Sequence, residues 1–377
     1  MDKNTNPGVA EHPEKRRSPL KILLAVVGHF FLAVFVLATL ALVALVLVCN
    51  LIFNGPSTTA RDVLTMSMLE SSGMKWCPAL FIGEETVQKI QENDAAALPE
   101  EVSDLSQIFI QTDGMLSGSN DEWSAYPDGI RIETVKGETY TAHVMIIRDP
   151  SRVYTAVSNQ VFSMEKDSRR IDQVMRSEGA LAGINGGAFN DDGTGADYVG
   201  RVPKGLVFSN GNLCWTDGGS YYGFVGFTED HTLVVAKSMD YLKAKELKIR
   251  DGCCFGPVLI MNGTVNEEAY NAKSGYNPRT CIGQRADGAV IFLCIDGRQA
   301  SSLGGTYADA IDILVEYGAV NACNLDGGSS SVMYYLDTYG KYGEAGQLQM
   351  INNYSLLQEQ AREMPTFFMV APPEDKE

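Results

Sequence analysis

The chain has 377 residues, of which 45% are hydrophobic and 9% aromatic, so it can bury one sizeable core. Its formal net charge at pH 7 is −17, and residues 51–377 carry 25 basic against 44 acidic side chains. Nucleic-acid binding requires a basic face, so this composition argues against a nucleic-acid partner.

The N-terminal region predicts a membrane anchor. Residues 1–19 are polar and rich in proline, which indicates a disordered cytoplasmic tail. Residues 20–49 form an apolar run longer than the ~20 residues that a membrane-spanning helix needs. A signal peptide is the alternative, but its apolar region usually has only ~7–15 residues. The basic cluster at 15–17 precedes the run, so we expect a single-pass cell-membrane protein with an extracellular C-terminal domain.

Two helices are predicted after the anchor, over residues 57–75 and 84–93. An acidic linker follows over 92–104, so residues 57–100 are interpreted as a juxtamembrane helical segment with its linker. The sequence then predicts one compact domain over residues 125–371.

Within that domain, short strands outnumber helices. Residues 141–149, 205–213 and 257–265 alternate between apolar and polar, and the last two stretches contain the Asn-Gly pair typical of hairpins. Helices are predicted over 168–179 and 306–318, each ended by a glycine. We therefore predict an α+β fold, with mixed or antiparallel curved sheets and a few packed helices, preceded by one transmembrane helix.

A recurring local pattern marks a candidate site. Each predicted helix leads into Gly-Ala, a short strand, a polar residue and Gly-Gly, giving Asn185-Gly186-Gly187 and Asp326-Gly327-Gly328. A third strand, over 288–298, contains Asp296 followed by glycine. Any one such turn could be an ordinary hairpin. Glycine also lets a ligand approach the backbone, and successive amides can bind phosphate oxygens. With Arg279 and Arg298 near in sequence, the set suits cleavage of a bond beside a phosphate.

Other chemistries lack support in the sequence. It contains no P-loop, no Gly-rich dinucleotide motif and no Gly-x-Ser-x-Gly nucleophile elbow. Of the four histidines, His12 lies in the tail and His29 in the apolar run, leaving only His143 and His231 for a metal site. The cysteines show no zinc spacing, and one disulfide is possible without an assignable pair. We expect neither a metal nor a cofactor.

Four stretches, in this order, resemble the phosphodiester glycosidase family: GALAGINGGAFN, NPRTCIGQRADG, CIDGR and GAVNACNLDGGSSSVMYY. The resemblance covers roughly residues 140–371 and includes AREMPTFFMV, which is similar to the family's closing strand preceded by arginine. It implies a hydrolase that cleaves a sugar-1-phosphodiester bond, since the best-known member removes N-acetylglucosamine from a phosphodiester.

The resemblance also implies a pocket and roles for its residues. One pocket is expected to contain Asn185, Gly186, Gly187, Arg279, Asp296, Arg298, Asp326, Gly327, Gly328 and Ser329. Asp326 is the expected base or nucleophile, and Asp296 the second carboxylate or the residue that orients an arginine. The two arginines and the Gly-Gly amides would hold the phosphate, and Asn185 is expected to belong to the catalytic residues. Lys204 is a further candidate for anion binding, with an exposed loop lysine as the alternative.

The substrate is expected to be a cell-wall or exopolysaccharide phosphodiester, because the anchor region resembles that of bacterial members described as exopolysaccharide-related. Ala188 stands where the family usually has an aromatic residue, and Phe189 keeps the second aromatic, so the sugar subsite is expected to differ. Two alternatives stay open. The domain could bind anionic glycans or assemble with a polysaccharide export complex without turnover, or the Gly-Gly turns could be hairpins only. The sequence does not indicate an oligomeric state.

Overall fold

The computed structural model describes residues 19–69, 74–94, 102–110, 123–165, 167–190, 200–218, 223–354 and 360–373. The predicted tail, except for its last residue, and residues 95–101 of the predicted linker lie outside this set. Contacts divide the chain into two units, one ending at Gly55 and one beginning at Pro56.

The described residues form eight α-helices and seventeen strands, which confirms the strand-rich α+β class. The helices are α1 Pro19–Phe53, α2 Thr58–Leu69, α3 Cys77–Ile82, α4 Glu84–Asp94, α5 Ile171–Glu178, α6 Tyr241–Glu246, α7 Glu267–Asn271 and α8 Tyr307–Glu316. The strands are β1 Ile130–Lys136, β2 Thr141–Ile147, β3 Val153–Val157, β4 Ala182–Asn185, β5 Leu206–Ser209, β6 Asn212–Thr216, β7 Phe224–Thr228, β8 Leu233–Ala236, β9 Ile249–Cys254, β10 Val258–Met261, β11 Thr264–Val265, β12 Arg279–Arg285, β13 Val290–Ile295, β14 Ala319–Asn324, β15 Met333–Asp337, β16 Gln347–Met350 and β17 Thr366–Val370.

Helix α1 contains the predicted apolar run. Its stretch Val27–Phe53 has 27 residues with a mean hydropathy of 3.1, and among the described residues it is the one helix that could cross a membrane. Such a helix fits either a membrane anchor or a signal sequence.

The second unit is built on three antiparallel sheets. One has seven strands in the order β1-β2-β13-β12-β14-β10-β11, and two have five strands each, in the orders β16-β15-β4-β17-β3 and β6-β5-β9-β7-β8. The largest buried cluster takes side chains from all three sheets, including Ile282, Ile184 and Val225. Helix α8 buries Ile311 and Leu314 against the seven-stranded sheet, and α5 packs against the sheet that contains β4.

Local sequence signals in this unit are confirmed. The predicted helix over 168–179 is α5, and its glycine stop, Gly179, adopts the left-handed conformation with φ 67°. The predicted helix over 306–318 is α8. Both Asn-Gly pairs, at 210–211 and 262–263, have two successive positive φ angles and connect β5 to β6 and β10 to β11.

The helical segment after α1 differs in its bounds from the prediction. The helix predicted over 57–75 corresponds to α2 over Thr58–Leu69, and residues 70–73 of that prediction lie outside the described set. The short helix α3 comes before the next predicted helix. Helix α4 spans Glu84–Asp94, which confirms the helix predicted over 84–93. Helices α2, α3 and α4 pack against one another. We refer to residues 58–69 and 74–94 as the α2–α4 segment.

Candidate functional site

Several predicted site residues line one cavity of about 330 Å³ in the second unit. The predicted residues among its lining are Lys204, Arg279, Asp326, Gly327, Gly328 and Ser329. Residues that were not predicted also line it, among them Leu69, Lys75, Tyr307 and Arg362. The loop after β14, the start of β12 and the α2–α4 segment therefore meet at this cavity.

The charges around the cavity are unequal. Among its described lining residues, Asp326 is the only carboxylate, whereas Lys75, Lys204, Arg279 and Arg362 contribute four cationic groups. This positive excess occurs in a chain whose formal net charge is −17. A concave site lined by one sign of charge concentrates ligands of the opposite sign. The cavity therefore suits an anionic ligand.

A larger groove of about 570 Å³ has the opposite character. Its charged lining residues are two arginines, Arg131 and Arg285, and three carboxylates, Glu133, Asp287 and Glu316. The smaller cavity has the cationic excess and contains several residues that were predicted from the sequence, so we place the candidate site there.

The turn that carries Asp326 is held by backbone hydrogen bonds from two sheets. Past the end of β14, the Leu325 amide donates to the carbonyl of Thr280 at 2.7 Å, and the Gly328 amide donates to that of Pro278 at 2.9 Å. The Asp326 amide donates to the carbonyl of Gly186 at 3.2 Å, which joins the turn to the end of β4. Asp326 itself is half-buried at the cavity wall.

Asn185 lies behind this turn and is not among the described residues that line the cavity. Its side chain is fully buried at 0% exposure. Its Nδ2 donates to the carbonyl of Asp326 at 2.7 Å, and its Oδ1 accepts from Thr280 Oγ1 at 2.8 Å and from the Val332 amide at 3.1 Å. The structure thus gives Asn185 contacts that position the Asp326 turn.

The backbone amides of Gly186 and Gly187 donate hydrogen bonds within the protein. The Gly186 amide donates to the carbonyl of Thr366 at 2.9 Å, and the Gly187 amide donates to Thr366 Oγ1 at 3.1 Å. A Cβ on Gly187 would lie 2.5 Å from the carbonyl oxygen of Cys254, too close for any side chain. Close packing therefore explains these two glycines without a bound anion.

Arg279 is fixed at the start of β12, with 2% exposure. Its guanidinium carbon lies 4.3 Å from the centre of the Tyr307 ring. Its Nε donates to the carbonyl of Gly305 at 3.1 Å, and its Nη2 donates to the carbonyls of Gly275, at 3.1 Å, and Ser274. A guanidinium held in this way is pre-organised to bind an anion.

Arg362 is one of the cationic lining residues that were not predicted from the sequence. Its guanidinium carbon lies 4.9 Å from the Phe189 ring centre, and its Nη1 donates to Ser329 Oγ at 3.4 Å. Its backbone amide donates to the Tyr354 hydroxyl at 3.2 Å, and that hydroxyl donates to the carbonyl of Ser329. The sequence signal was the arginine that precedes the closing apolar strand β17.

Asp296 and Arg298 are not among the described residues that line this cavity. Asp296 is buried; its Oδ1 accepts from the Asn353 amide at 2.9 Å, and its Oδ2 accepts from Asn353 Nδ2 at 2.8 Å and lies 3.3 Å from His143 Nε2. Arg298 is exposed, with a positive φ of 58°, and its Nη2 donates to Asn277 Oδ1 at 3.2 Å. The contacts of Asp296 are those of a structural carboxylate.

Among the eight cysteines, the buried ones are not thiolate nucleophiles at neutral pH. All eight are free, so the structure forms no disulfide. Burial raises the pKa of Cys254 to about 11 and that of Cys281 to about 12, so both thiols are protonated at neutral pH. Among the described residues, no group of three or more His, Cys, Asp or Glu side chains could hold a metal ion.

One family model covers most of the residues that line the cavity. The family model for phosphodiester glycosidases matches residues 178–371, which is more than half of the chain and includes both Gly-Gly turns. The chain is 28% identical over 194 residues to the SPbeta prophage-derived uncharacterized protein YomE of Bacillus subtilis (strain 168), a match covering 48% of this chain and 27% of YomE. The match thus spans about a quarter of that relative's length.

Two solved structures are also similar. The zebrafish N-acetylglucosamine-1-phosphodiester alpha-N-acetylglucosaminidase catalytic domain, auto-inhibited by its pro-peptide, is 21% identical, with a TM-score of 0.49 over 64% of this chain and 82% of that chain. A hypothetical protein from Synechocystis is 16% identical, with a TM-score of 0.41 over 64% of this chain and 61% of that chain.

Proposed function

Because the chain belongs to the phosphodiester glycosidase family, we propose that it is a glycosidase that hydrolyses the bond between an anomeric carbon and a phosphodiester. The observation that carries this proposal is the charge pattern of the cavity, where one carboxylate, Asp326, faces a surplus of cations. A phosphodiester supplies the anion for the cations, and the sugar places its anomeric carbon beside the carboxylate.

In the proposed reaction, the bond between the anomeric carbon and the phosphate oxygen breaks, and the electron pair leaves with the phosphate. The oxygen of one water molecule forms the new bond to the anomeric carbon, and its proton passes to the protein or solvent. The transition state has oxocarbenium character, as in other glycoside hydrolyses. Asp326 acts either as the base that activates the water or as a nucleophile that water later displaces.

Arg279 and Arg362 are the proposed anion clamp, together with Lys204 and the backbone amides of Gly327 and Ser329. Guanidinium groups suit this role because they form paired, charge-assisted hydrogen bonds to phosphate oxygens. The negative charge on the departing phosphate increases as the bond breaks, so pre-organised cations stabilise the transition state more than the bound substrate.

A non-catalytic glycan-binding or assembly module is the second candidate, and one observation favours it. Most glycosidases use two carboxylates, whereas only one is present among the described residues of this cavity. The same observation is compatible with hydrolysis, because a phosphate is a good leaving group and has little need of a general acid. We therefore rank hydrolysis first.

We further propose that α1 anchors the protein in the cell membrane with the second unit outside the cell, and that the substrate is a cell-wall or exopolysaccharide phosphodiester. The length and hydropathy of α1 and the basic cluster before it support the orientation. Protease accessibility of the second unit on intact cells tests the orientation.

The test of the proposed function is turnover of the full-length chain in detergent against a panel of sugar-1-phosphodiesters. Released reducing sugar and released phosphomonoester are measured together, and Asp326→Asn is the matched variant. We expect both products in equal amounts from the wild type and neither from the variant, with unchanged ligand binding. Binding of the same compounds without any turnover would support the non-catalytic module.

A further inference from the structure

The cavity is not built from the family-matched region alone. Leu69 and Lys75, which line it, belong to the α2–α4 segment and lie more than 100 residues before residue 178, where the family match begins. Lys75 is exposed at the cavity wall and supplies one of its four cationic groups. The α2–α4 segment therefore contributes directly to the cavity wall.

Helix α2 is docked on the loop at 273–276 by specific polar contacts. Asp62 Oδ2 accepts from Lys273 Nζ at 2.9 Å, and Asp62 is 7% exposed. The Tyr276 amide donates to Ser67 Oγ at 3.0 Å. A Cβ on Gly275 would lie 2.6 Å from that same Ser67 oxygen, so the loop approaches the helix as closely as glycine allows.

The electrostatics of Asp62 support a defined docking contact. Burial by itself raises the pKa of this carboxyl. Hydrogen bonds from Lys273 and Arg61 lower it by more than burial raises it, so the pKa lies below its usual value. Asp62 is therefore ionised at neutral pH, and its contact with Lys273 joins two opposite charges.

The docked loop also holds the buried arginine of the cavity. The carbonyls of Ser274 and Gly275, both between the contact points of α2, accept hydrogen bonds from Arg279 Nη2. A continuous set of contacts thus runs from Asp62 and Ser67 on α2, through the loop, to the guanidinium of Arg279. Displacement of α2 would leave this loop without its support.

We propose that the α2–α4 segment forms part of the substrate-binding site. Lys75 binds an anionic group of the substrate directly, and α2 positions Arg279 through the loop at 273–276. This inference rests on the proposed function for the nature of the ligand, a glycosyl phosphodiester. It assigns a substrate-binding residue outside the family-matched region.

The first experiment uses the full-length chain in detergent and the variants Lys75→Met, Lys75→Arg and Lys89→Met. Lys89 is the matched control, since it lies on α4 in the same segment, is largely exposed and pairs with Glu85 at 2.7 Å. Binding of N-acetylglucosamine 1-phosphate is measured by calorimetry, and KM and kcat on any turned-over phosphodiester are measured beside it.

Lys75→Met is expected to raise Kd and KM about 10-fold, since a charge-assisted hydrogen bond contributes about 1.5 kcal/mol or more. We expect kcat to change little, Lys75→Arg to restore most of the affinity, and Lys89→Met to behave as the wild type. Unchanged affinity in Lys75→Met would overturn the assignment. Tighter binding or faster turnover in Lys75→Met would also overturn it, because the segment would then obstruct the cavity.

The positioning role of α2 is tested by charge reversal. Asp62→Lys is expected to weaken binding of the same probe, and Asp62→Lys combined with Lys273→Asp is expected to restore part of it. Ser67→Ala, a milder change, should weaken binding while the chain stays folded. Wild-type affinity in both Asp62→Lys and Ser67→Ala would contradict the positioning role.

The binding measurement also distinguishes a failure of this inference from a failure of the proposed function. If the wild type binds the probe but turns nothing over, hydrolysis fails as the function, and the binding comparison still decides the role of the segment.

Discussion

The side-chain amide of Asn185 donates a hydrogen bond of 2.7 Å to the backbone carbonyl of Asp326. In return, the Asp326 amide donates to the carbonyl of Gly186 at 3.2 Å. Asn185 ends β4, and Asp326 lies two residues past the end of β14 in a different sheet, so this pair of bonds joins the two Gly-Gly turns. The position of the proposed catalytic carboxylate therefore depends on a residue that lies outside the cavity lining.

Asn185→Ala should reduce stability and turnover together. The substitution leaves the carbonyl of Asp326, the Thr280 hydroxyl and the Val332 amide without this partner, at a cost of about 1–3 kcal/mol for each buried group left unpaired. Urea unfolding gives the stability, and turnover at saturating substrate gives kcat. The control is Asn271→Ala on α7, whose Nδ2 donates to the carbonyl of Glu267 at the surface. Wild-type stability in Asn185→Ala would contradict the bonding scheme.

Arg362→Met should lower kcat/KM about 10- to 100-fold. A hydrogen bond to a charged group contributes about 1.5–3 kcal/mol, and the proposed partner of Arg362 is the substrate phosphate. The comparison variant is Lys243→Met, which removes a lysine on α6 that pairs with Glu246 at 3.1 Å. Equal kcat/KM in the Arg362 and Lys243 variants would exclude Arg362 from the clamp.

Asp296→Asn should affect stability more than ligand affinity. The carboxylate accepts two hydrogen bonds from Asn353, one from its backbone amide and one from its side chain. The NH2 group of an asparagine at position 296 would face one of these N–H donors in place of an acceptor oxygen. We expect a loss of about 1–3 kcal/mol in unfolding free energy, with the Kd for a sugar 1-phosphate within two-fold of wild type. A stable Asp296→Asn protein without turnover would instead restore Asp296 as a second catalytic carboxylate.

The fold was predictable where local signals decide the structure. Helices α5 and α8 are each followed within two residues by a glycine with positive φ, and two Asn-Gly pairs form hairpins, because these residues set the backbone within a few positions. The order of strands within the three sheets was not predictable, since it depends on pairing between distant segments. Arg279, for example, opens a strand that pairs with both β13 and β14.

The candidate site was predictable only in part for the same reason. The Gly-Gly motif at Asp326 and the basic Arg279 line the cavity, but the similar motif at Asn185 is turned inward to hold the structure. A strand end followed by glycine looks alike in both cases, and burial separates them. Lys75 and Arg362 reach the cavity from remote segments, which only the tertiary structure brings together.

The free energy of unfolding should decrease as the pH is lowered from neutral to moderately acidic, because of His231. Burial and the neighbouring positive charge of Arg250 lower the pKa of this imidazole from 6.5, and the nearby carboxylates of residues 149, 230 and 251 oppose the shift only in part. Arg250 Nη1 donates to His231 Nδ1 at 2.7 Å, which requires the neutral ring. Below pH 6.5 the unfolded chain therefore binds a proton more readily than the folded one, so unfolding becomes easier.

His231→Asn tests this source of the pH dependence. Asparagine tolerates the positive φ of 63° at this position and does not titrate. We expect the drop in Tm from pH 7 to pH 5 to be smaller in the variant than in the wild type. Parallel Tm profiles would show that His231 does not contribute.

The proposed reaction breaks the bond between the anomeric carbon and oxygen, at a carboxylate in a cationic cavity. Hydrolysis of a sugar-1-phosphodiester in ¹⁸O-labelled water, followed by mass spectrometry of both products, tests it most directly. We expect the label to enter the sugar hydroxyl and not the phosphate, and we expect Asp326→Asn to yield neither product. Label in the phosphate would show attack at phosphorus and contradict the assignment of this protein as a glycosidase.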